Sequence, residues 1–293
     1  MTLFCTAEGE KHAHLVIESL RAFGGNLRQA PVWVFSPDPD HLSPAWTGLT
    51  DIHPFRLADA HRGPYWFTEK VAACAQAERM ARGKFQSLVW LNLDSLIVNP
   101  PKLFDLGGAY KAAFRPVHIQ NIGSKFAEPL DDFWKAIYGT VGVDQASFTI
   151  QSYVDEQILR PYFNTHCFAA NPQVGLFGVW LEVFDLLVSD STFQSNLCSD
   201  EAHQIFLHQA VLSALIIKMV EEPRLRLLPP EYSYPLHLHP QIPPARRYEI
   251  LNRTVCPVYE DVFRYPDALN GLPVLEPLHS WLMRRMPSAQ AGE

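Results

Sequence analysis

The sequence predicts an α/β protein built on a mostly parallel sheet. Three observations carry this. Strand-like and helix-like segments alternate through the first hundred residues, the two helical segments are closed by glycine, and the apolar run 88–91 stops at a polar triplet, Asn92-Leu93-Asp94, before two prolines. Strands alternating with helices imply right-handed crossovers and a sheet covered on both faces.

Each element has its own signal. Residues 2–6 (TLFCT) read as a short buried strand. A helix over 12–23 places Leu15, Val16, Ser19, Leu20 and Phe23 on one side, and Gly24-Gly25 ends it. Residues 31–35 (PVWVF) form a second strand, closed by Ser36-Pro37-Asp38-Pro39, and 52–55 a weaker third. Thr68 is placed to cap a helix running to Arg82, with Gly83 as its stop. Residues 87–91 are the fourth strand. Beyond residue 100 the pattern loosens. Residues 109–116 read as a returning strand and 126–162 as helices and loops, with Asp131-Asp132 at a helix N-terminus and Trp134, Ile137 and Tyr138 on one face. A strand over 163–169 is broken by Asn171-Pro172, and amphipathic helices follow over 175–188 and 202–220. The proline-rich stretch 223–244 suits an extended surface connection, and the tail beyond 287 a frayed end.

Composition narrows the function classes. The 293 residues are 47% hydrophobic and 19% charged, ordinary for a globular enzyme with an ample core. A net charge of -7 disfavours nucleic acid or an anionic membrane as the main partner. Five scattered cysteines without a CxxC pair fit a reducing compartment and argue against a disulfide framework or zinc knuckle. The first eleven residues carry Glu8, Glu10 and Lys11, unlike a signal peptide, and the longest apolar helix candidate contains His208, Gln209 and Lys218, too polar to span a bilayer. A cytoplasmic protein is expected.

The chemistry starts from Asn92 and Asp94. A carboxylate at the end of a buried strand needs either solvent or a cation. Two residues apart in an extended segment, both side chains leave one face and can address one metal ion. Mg²⁺ or Mn²⁺ favours such oxygen donors. The same tripeptide also suits a plain strand end with turn-forming residues. Asp155 and Glu156 (SYVDEQIL) are the other acidic candidates, as a general base or a stabiliser of oxocarbenium-like charge, or else as an exposed helix turn.

The order of several segments resembles the GT-A glycosyltransferases, particularly the retaining glycosyltransferase family 8 and its bacterial relatives. The residues concerned are LFCTAEG at the start, FTEKVAACAQAE at 67–78, VWLNLDSLIVNPPKLFDL at 89–106, PYFNTHCFAANP at 161–172 and HQAVLSALI at 208–216. They span roughly residues 1–240. The resemblance implies a GT-A-type fold as a single domain of two abutting halves, 1–106 binding nucleotide sugar and 107–240 binding donor sugar and acceptor, with 241–293 as a C-terminal extension. It implies transfer from a nucleoside diphosphate sugar, a UDP-sugar in particular, to an acceptor hydroxyl of a saccharide, lipid or protein, with Mn²⁺ or Mg²⁺ held at a DxD-like triplet.

Residue by residue, the resemblance implies that Thr6 and Ala7 contact the nucleoside and that Lys70 reaches the ribose or diphosphate. Lys70 reads equally as a solvated helix lysine. Asn92 would touch the ribose and share the metal with Asp94. Asn164 would bind donor-sugar hydroxyls, and Gln209 would face the sugar and leaving phosphate. The family's late metal-binding histidine would be His237 or His239, which at their spacing would share one strand face. Three positions depart from the family pattern: Asn92 stands for Asp, His166 for the Gly of FNxG, and His208 for the Asp before Gln209. His166 and His208 would then border the donor. These departures leave open a catalytically weakened protein of the same fold that binds a nucleotide sugar or a protein partner without turnover.

Overall fold

The computed structural model describes residues 1–42, 46, 49–58, 65–260 and 272–285, and the expected tail beyond 287 lies outside them. Seven strands form one sheet in the order β3-β2-β1-β4-β8-β5-β9. They are β1 (Thr2–Phe4), β2 (Val32–Ser36), β3 (Ile52–Arg56), β4 (Leu88–Leu91), β5 (Ala112–Phe114), β8 (Cys167–Ala170) and β9 (Leu225–Leu227). Only β8 runs against its neighbours, so the sheet is mostly parallel, as the alternation of elements predicts. Two small ladders lie outside it. One is the hairpin β6 (Ile150–Gln151) with β7 (Ile158–Leu159), the other the parallel pair β10 (Tyr232–Pro235) and β11 (Cys256–Val258). The helices are α1 (Glu10–Phe23), α2 (Thr68–Ala81), α3 (Asp132–Val141), α4 (Leu176–Ser189), α5 (Ser191–Leu197), α6 (Glu201–Met219) and α7 (Leu278–Met283).

Strand β4 shows why the sheet is covered on both faces. All four residues of LVWL are buried, as expected of a central strand between two layers. Leu88 and Trp90 enter the core under α2, α4 and α6, whereas Val89 and Leu91 enter the one beneath α1. The α2 side is lined with Ala72, Ala73, Ala75 and Ala77, all buried. These small residues let α2 lie close to the sheet, while Trp180 and Phe184 of α4 fill the space beyond. A third core gathers Leu96, Tyr153, Tyr234, Tyr259, Leu278 and Trp281 around the C-terminal part of the chain.

Several local expectations change. Thr68 is not the cap of α2: Phe67 occupies that position with φ 62, and the Thr68 hydroxyl donates back to the Tyr65 carbonyl at 2.9 Å. Asp131 does cap α3, its Oδ1 accepting from the Trp134 N–H at 2.8 Å. The stretch 223–244 is not a surface connection. It supplies edge strand β9 and the fully buried β10, then a 3₁₀ helix over Leu236–Gln241. Pro223 and Pro244 sit at 3₁₀-helix starts and Pro235 at the end of β10, while Tyr232 and Tyr234 carry the buried area.

The segment after the triplet behaves as an extra strand. Leu96 N–H donates to Pro257 O and Val98 N–H to Val255 O, both at 3.0 Å, while Tyr259 N–H donates to Asp94 O at 2.8 Å. This pairing sets β11 and the residues following it beside Asp94.

Candidate functional site

The C-terminal ends of β1, β4 and β5 point to one edge of the sheet. Because β8 is antiparallel, its N-terminal approach, Asn164 to His166, arrives at the same edge. Ligands of open α/β sheets bind at such an edge. The Asn92 N–H donates to His166 O at 2.8 Å and locks the triplet to that approach. The loop after β1 closes the other flank: a Cβ at Gly9 would meet Leu93 Cδ1 at 2.7 Å, so a larger residue there would push the Leu93 side chain aside. Thr6 and Ala7 of this loop are exposed at the rim.

Asn164 is the hub. Its Oδ1 accepts from the His166 N–H (2.8 Å), from His166 Nδ1–H (2.7 Å) and from the Ser233 hydroxyl (3.0 Å). Its Nδ2–H donates to His118 Nε2 at 3.0 Å. Ser233 reaches Asn164 because β10 is irregular there and Ser233 adopts φ 59, a strained backbone in a fully buried residue. The consequence for His166 is a fixed tautomer, with the proton on Nδ1 and a bare Nε2. That Nε2 lies 3.7 Å from Asp94 Oδ2 and 3.7 Å from Glu260 Oε1. His237 Nε2 lies 3.5 Å from the same Glu260 oxygen. Among the described residues, Asp94 Oδ1 is buried without a hydrogen-bond partner. Asp94, His166 and Glu260 thus offer three ligand atoms within 4.8 Å of one another, a donor set that fits a divalent metal ion.

Burial keeps these imidazoles neutral. It pushes His118 well below the ordinary value, with His166 and Arg115 adding to the effect. It also lowers His166, against the opposing pull of Asp94, and takes His237 down to about 4. Tyr259 stiffens the cluster from behind. Its hydroxyl donates to Leu93 O at 2.8 Å and accepts from His12 Nδ1 at 2.7 Å, tying α1, the triplet and the residue before Glu260 together.

The remaining residues singled out by the sequence fall into distinct places. Asn92 Oδ1 accepts from Trp90 Nε1 at 2.8 Å, so its side chain turns back over the sheet. His208 is sealed: Nδ1–H donates to Ile205 O, Nε2 accepts from the Thr165 hydroxyl, and the Phe67 ring stacks on it at 4.2 Å. Gln209 is buried beside it and faces Tyr162. His237 and His239 share no strand face, because they lie in a 3₁₀ helix where two residues turn the side chain by roughly 240°. His237 joins Glu260, and His239 Nδ1 meets the Tyr234 hydroxyl at 2.7 Å. Asp155 and Glu156 sit in the turn between β6 and β7, not on a helix. Asp155 accepts from the Ser152 hydroxyl and the Gln120 N–H, and Glu156 pairs with Arg246 at 2.9 Å.

Lys70 is no solvated lysine. It is 5% exposed, its Nζ donates to Thr165 O at 2.5 Å, and burial lowers it to about 8, against the pull of Cys74 and Asp94. At pH 7 the ammonium is charged in folded and unfolded chains alike, so the burial penalty is fully present. Between about 8 and the ordinary 10.5 the unfolded chain keeps its proton while the folded one has lost it, so stability rises with pH across that window. Lys70→Met is therefore expected to be more stable than the parent at pH 7 by about 1–2 kcal/mol, the lost Thr165 bond offsetting part of the gain. Thermal melts from pH 7 to 10.5 check this: the parent gains on the variant as pH rises.

The sequence did not single out Glu260, His118 or Ser233. Glu260 had a legible signal, since VCPVYE ends an apolar run in a carboxylate just as VWLNLD does. His118 and Ser233 had none.

Comparison with protein-family models and with curated proteins returns no match. Among solved structures the chain resembles the apo form of WbbM, a bifunctional glycosyltransferase, with a TM-score of 0.50 and 11% identity. The likeness covers 98% of this chain and 51% of that one, so the chain spans about half that protein's length. At this identity the likeness shows the fold: a mostly parallel sheet flanked by helices, of the kind a glycosyltransferase is built on.

Proposed function

We propose that the protein is a GT-A-type glycosyltransferase that moves a sugar from a nucleoside diphosphate donor, a UDP-sugar in particular, to an acceptor hydroxyl of a saccharide, lipid or protein. The observation that carries this is the meeting of Asp94, His166 and Glu260 at the C-terminal edge of the sheet. A divalent ion there, Mn²⁺ or Mg²⁺, supplies charge to offset the departing diphosphate. Lys70 adds a buried positive charge beside Asp94. Thr6 and Ala7 line the rim for the nucleoside. Asn92 and Asn164 act by orientation, since their side-chain oxygens are committed to Trp90 and to His166 and Ser233. Of the acidic pair, Asp155 has both oxygens engaged, and the exposed Glu156, one oxygen on Arg246, keeps the other to meet an acceptor.

A panel of nucleotide sugars assayed with Mn²⁺ tests the reading. Metal-dependent transfer or hydrolysis supports it. If no donor turns over, no nucleoside diphosphate binds and Asp94→Ala changes nothing, the reading fails. One observation favours a second reading, a binder without turnover: Phe67 covers His208, and His166 fills a position where the resembling family has glycine. Calorimetric binding of UDP with no turnover on any donor would select it.

A further inference from the structure

We infer that Arg115 forms a binding site for the carboxylate of an acidic saccharide, on the acceptor side of the sheet edge. The inference deepens the transferase reading and rests on it only for calling that saccharide an acceptor; carboxylate binding itself is measured apart from turnover. Its root is a buried cation without a counter-ion. Arg115 is 4% exposed, and among the described residues its guanidinium donates no hydrogen bond and pairs with no carboxylate, its Nε being buried and unpartnered. Burial lowers it to about 10, so it stays charged at neutral pH. The charge of Arg246 adds to the strain, and only ring faces and a thiol oppose it. A charge buried in this way is costly until a ligand supplies the opposite one.

Its place in the fold suits a substrate. Arg115 directly follows β5, whose end lies at the same edge as Asn92 and Asp94. Phe114 enters the core under α2, so the next side chain leaves the other face. The Arg115 carbonyl accepts from the Asn164 N–H at 2.8 Å, and its charge is felt by His118. On the far side it shares the Tyr153 ring with Arg246, the two guanidinium carbons lying 5.0 and 4.8 Å from the ring centroid. Arg246 in turn holds Glu156, the residue left to meet an acceptor. Arg115 therefore stands between the Asn164 hub and the acceptor side. A guanidinium fork matches a carboxylate in two parallel hydrogen bonds, one charge against one. A phosphate dianion fits less well. Arg246 is spent on Glu156, and Glu231, held by the Tyr248 hydroxyl at 2.9 Å, acts on Tyr153 as well.

Calorimetry with methyl β-D-glucuronide and its neutral methyl ester, in the absence of donor, tests the inference. The glucuronide should bind at least about tenfold more tightly than the ester, as a charge-assisted bidentate pair allows. Arg115→Met should remove that preference and His239→Ala should leave it whole. A purely structural arginine gives a different readout, a lower melting temperature on removal. Here Arg115→Met should melt level with or above the parent, since an unpaired buried charge is gone, and the glucuronide should raise the melting temperature of the parent alone. Should Arg115→Met fail to fold by circular dichroism, Arg115→Lys carries the test: charge without the fork should weaken the glucuronide several-fold and leave the ester unchanged. No binding of the glucuronide, equal affinity for the ester, tighter binding of glucose 6-phosphate, or a preference that survives in a folded Arg115 variant overturns the inference. Turnover of UDP-glucuronate in preference to UDP-glucose overturns the assignment to the acceptor side. Glucuronide bound by a protein that neither binds UDP nor turns over any donor keeps the carboxylate site and removes the transferase reading; donor turnover without a glucuronide preference does the reverse.

Discussion

Asp94→Ala is expected to lower donor turnover by about 10³-fold or more while leaving the fold intact, because the lost charge stabilises a developing charge rather than the core. The backbone of residue 94 holds the frame: its carbonyl accepts from Tyr259 N–H, and that bond survives the substitution. The side chain makes no comparable hydrogen bond among the described residues: Oδ1 has no partner there, Oδ2 only approaches His166, and Lys70 attracts the charge without bonding to it. Removing it takes away the attraction of the buried Lys70 as well as the crowding with Glu260, so the melting temperature should change little. Asp94→Asn keeps an oxygen without the charge and should fall between the two. Kinetics and thermal melts on the same preparations check both halves: a large loss of stability would mean that Asp94 is structural.

Glu78→Ala is expected to produce the opposite pattern, a stability loss of about 3–5 kcal/mol from a residue remote from the sheet edge. Glu78 is fully buried on α2, and its two oxygens accept from the Phe177 and Gly178 N–H groups at 3.0 and 2.9 Å. These are first-turn donors of α4, whose own N-cap is Gly175 and offers no side chain. One helix thus caps another, with a negative charge at the positive end of the α4 dipole. Alanine leaves one buried and one partly buried N–H group unmade, roughly 1–3 kcal/mol each, plus a cavity. That is a large part of the 5–15 kcal/mol typical of a folded domain. Glu78→Gln restores one acceptor and turns an NH₂ toward the other donor, so about half the loss should return. Urea denaturation of both variants measures it.

What the sequence made legible follows from the range of the physics. Helices α1, α3, α4 and α6 were readable because their apolar periodicity and glycine or aspartate ends are local. The strand ending in Asn92-Leu93-Asp94 was readable because a carboxylate closing a buried run is costly wherever the chain goes. The stretch 223–244 reads as a surface connection because prolines break regular elements locally, whereas Tyr232 and Tyr234 bury enough area to draw it inward. His239 and His237 could not be separated in sequence, since their divergence depends on a 3₁₀ turn. Glu260 joins Asp94 only through the pairing of β11 with residues 94–98, a contact across more than 160 positions that no local pattern encodes.

The Tyr259 hydroxyl, held between His12 and Leu93, joins the beginning of the chain to nearly its end. This has a consequence for assembly on the ribosome. A nascent chain that has emerged through β9 already contains every strand of the central sheet and every stretch of the glycosyltransferase resemblance, yet lacks Glu260. The sheet can close early; the centre must wait for β11 to arrive beside residues 94–98. Contacts so distant along the chain are slow to form, so an ion present during synthesis would meet an incomplete set of donors until residues 256–260 are made.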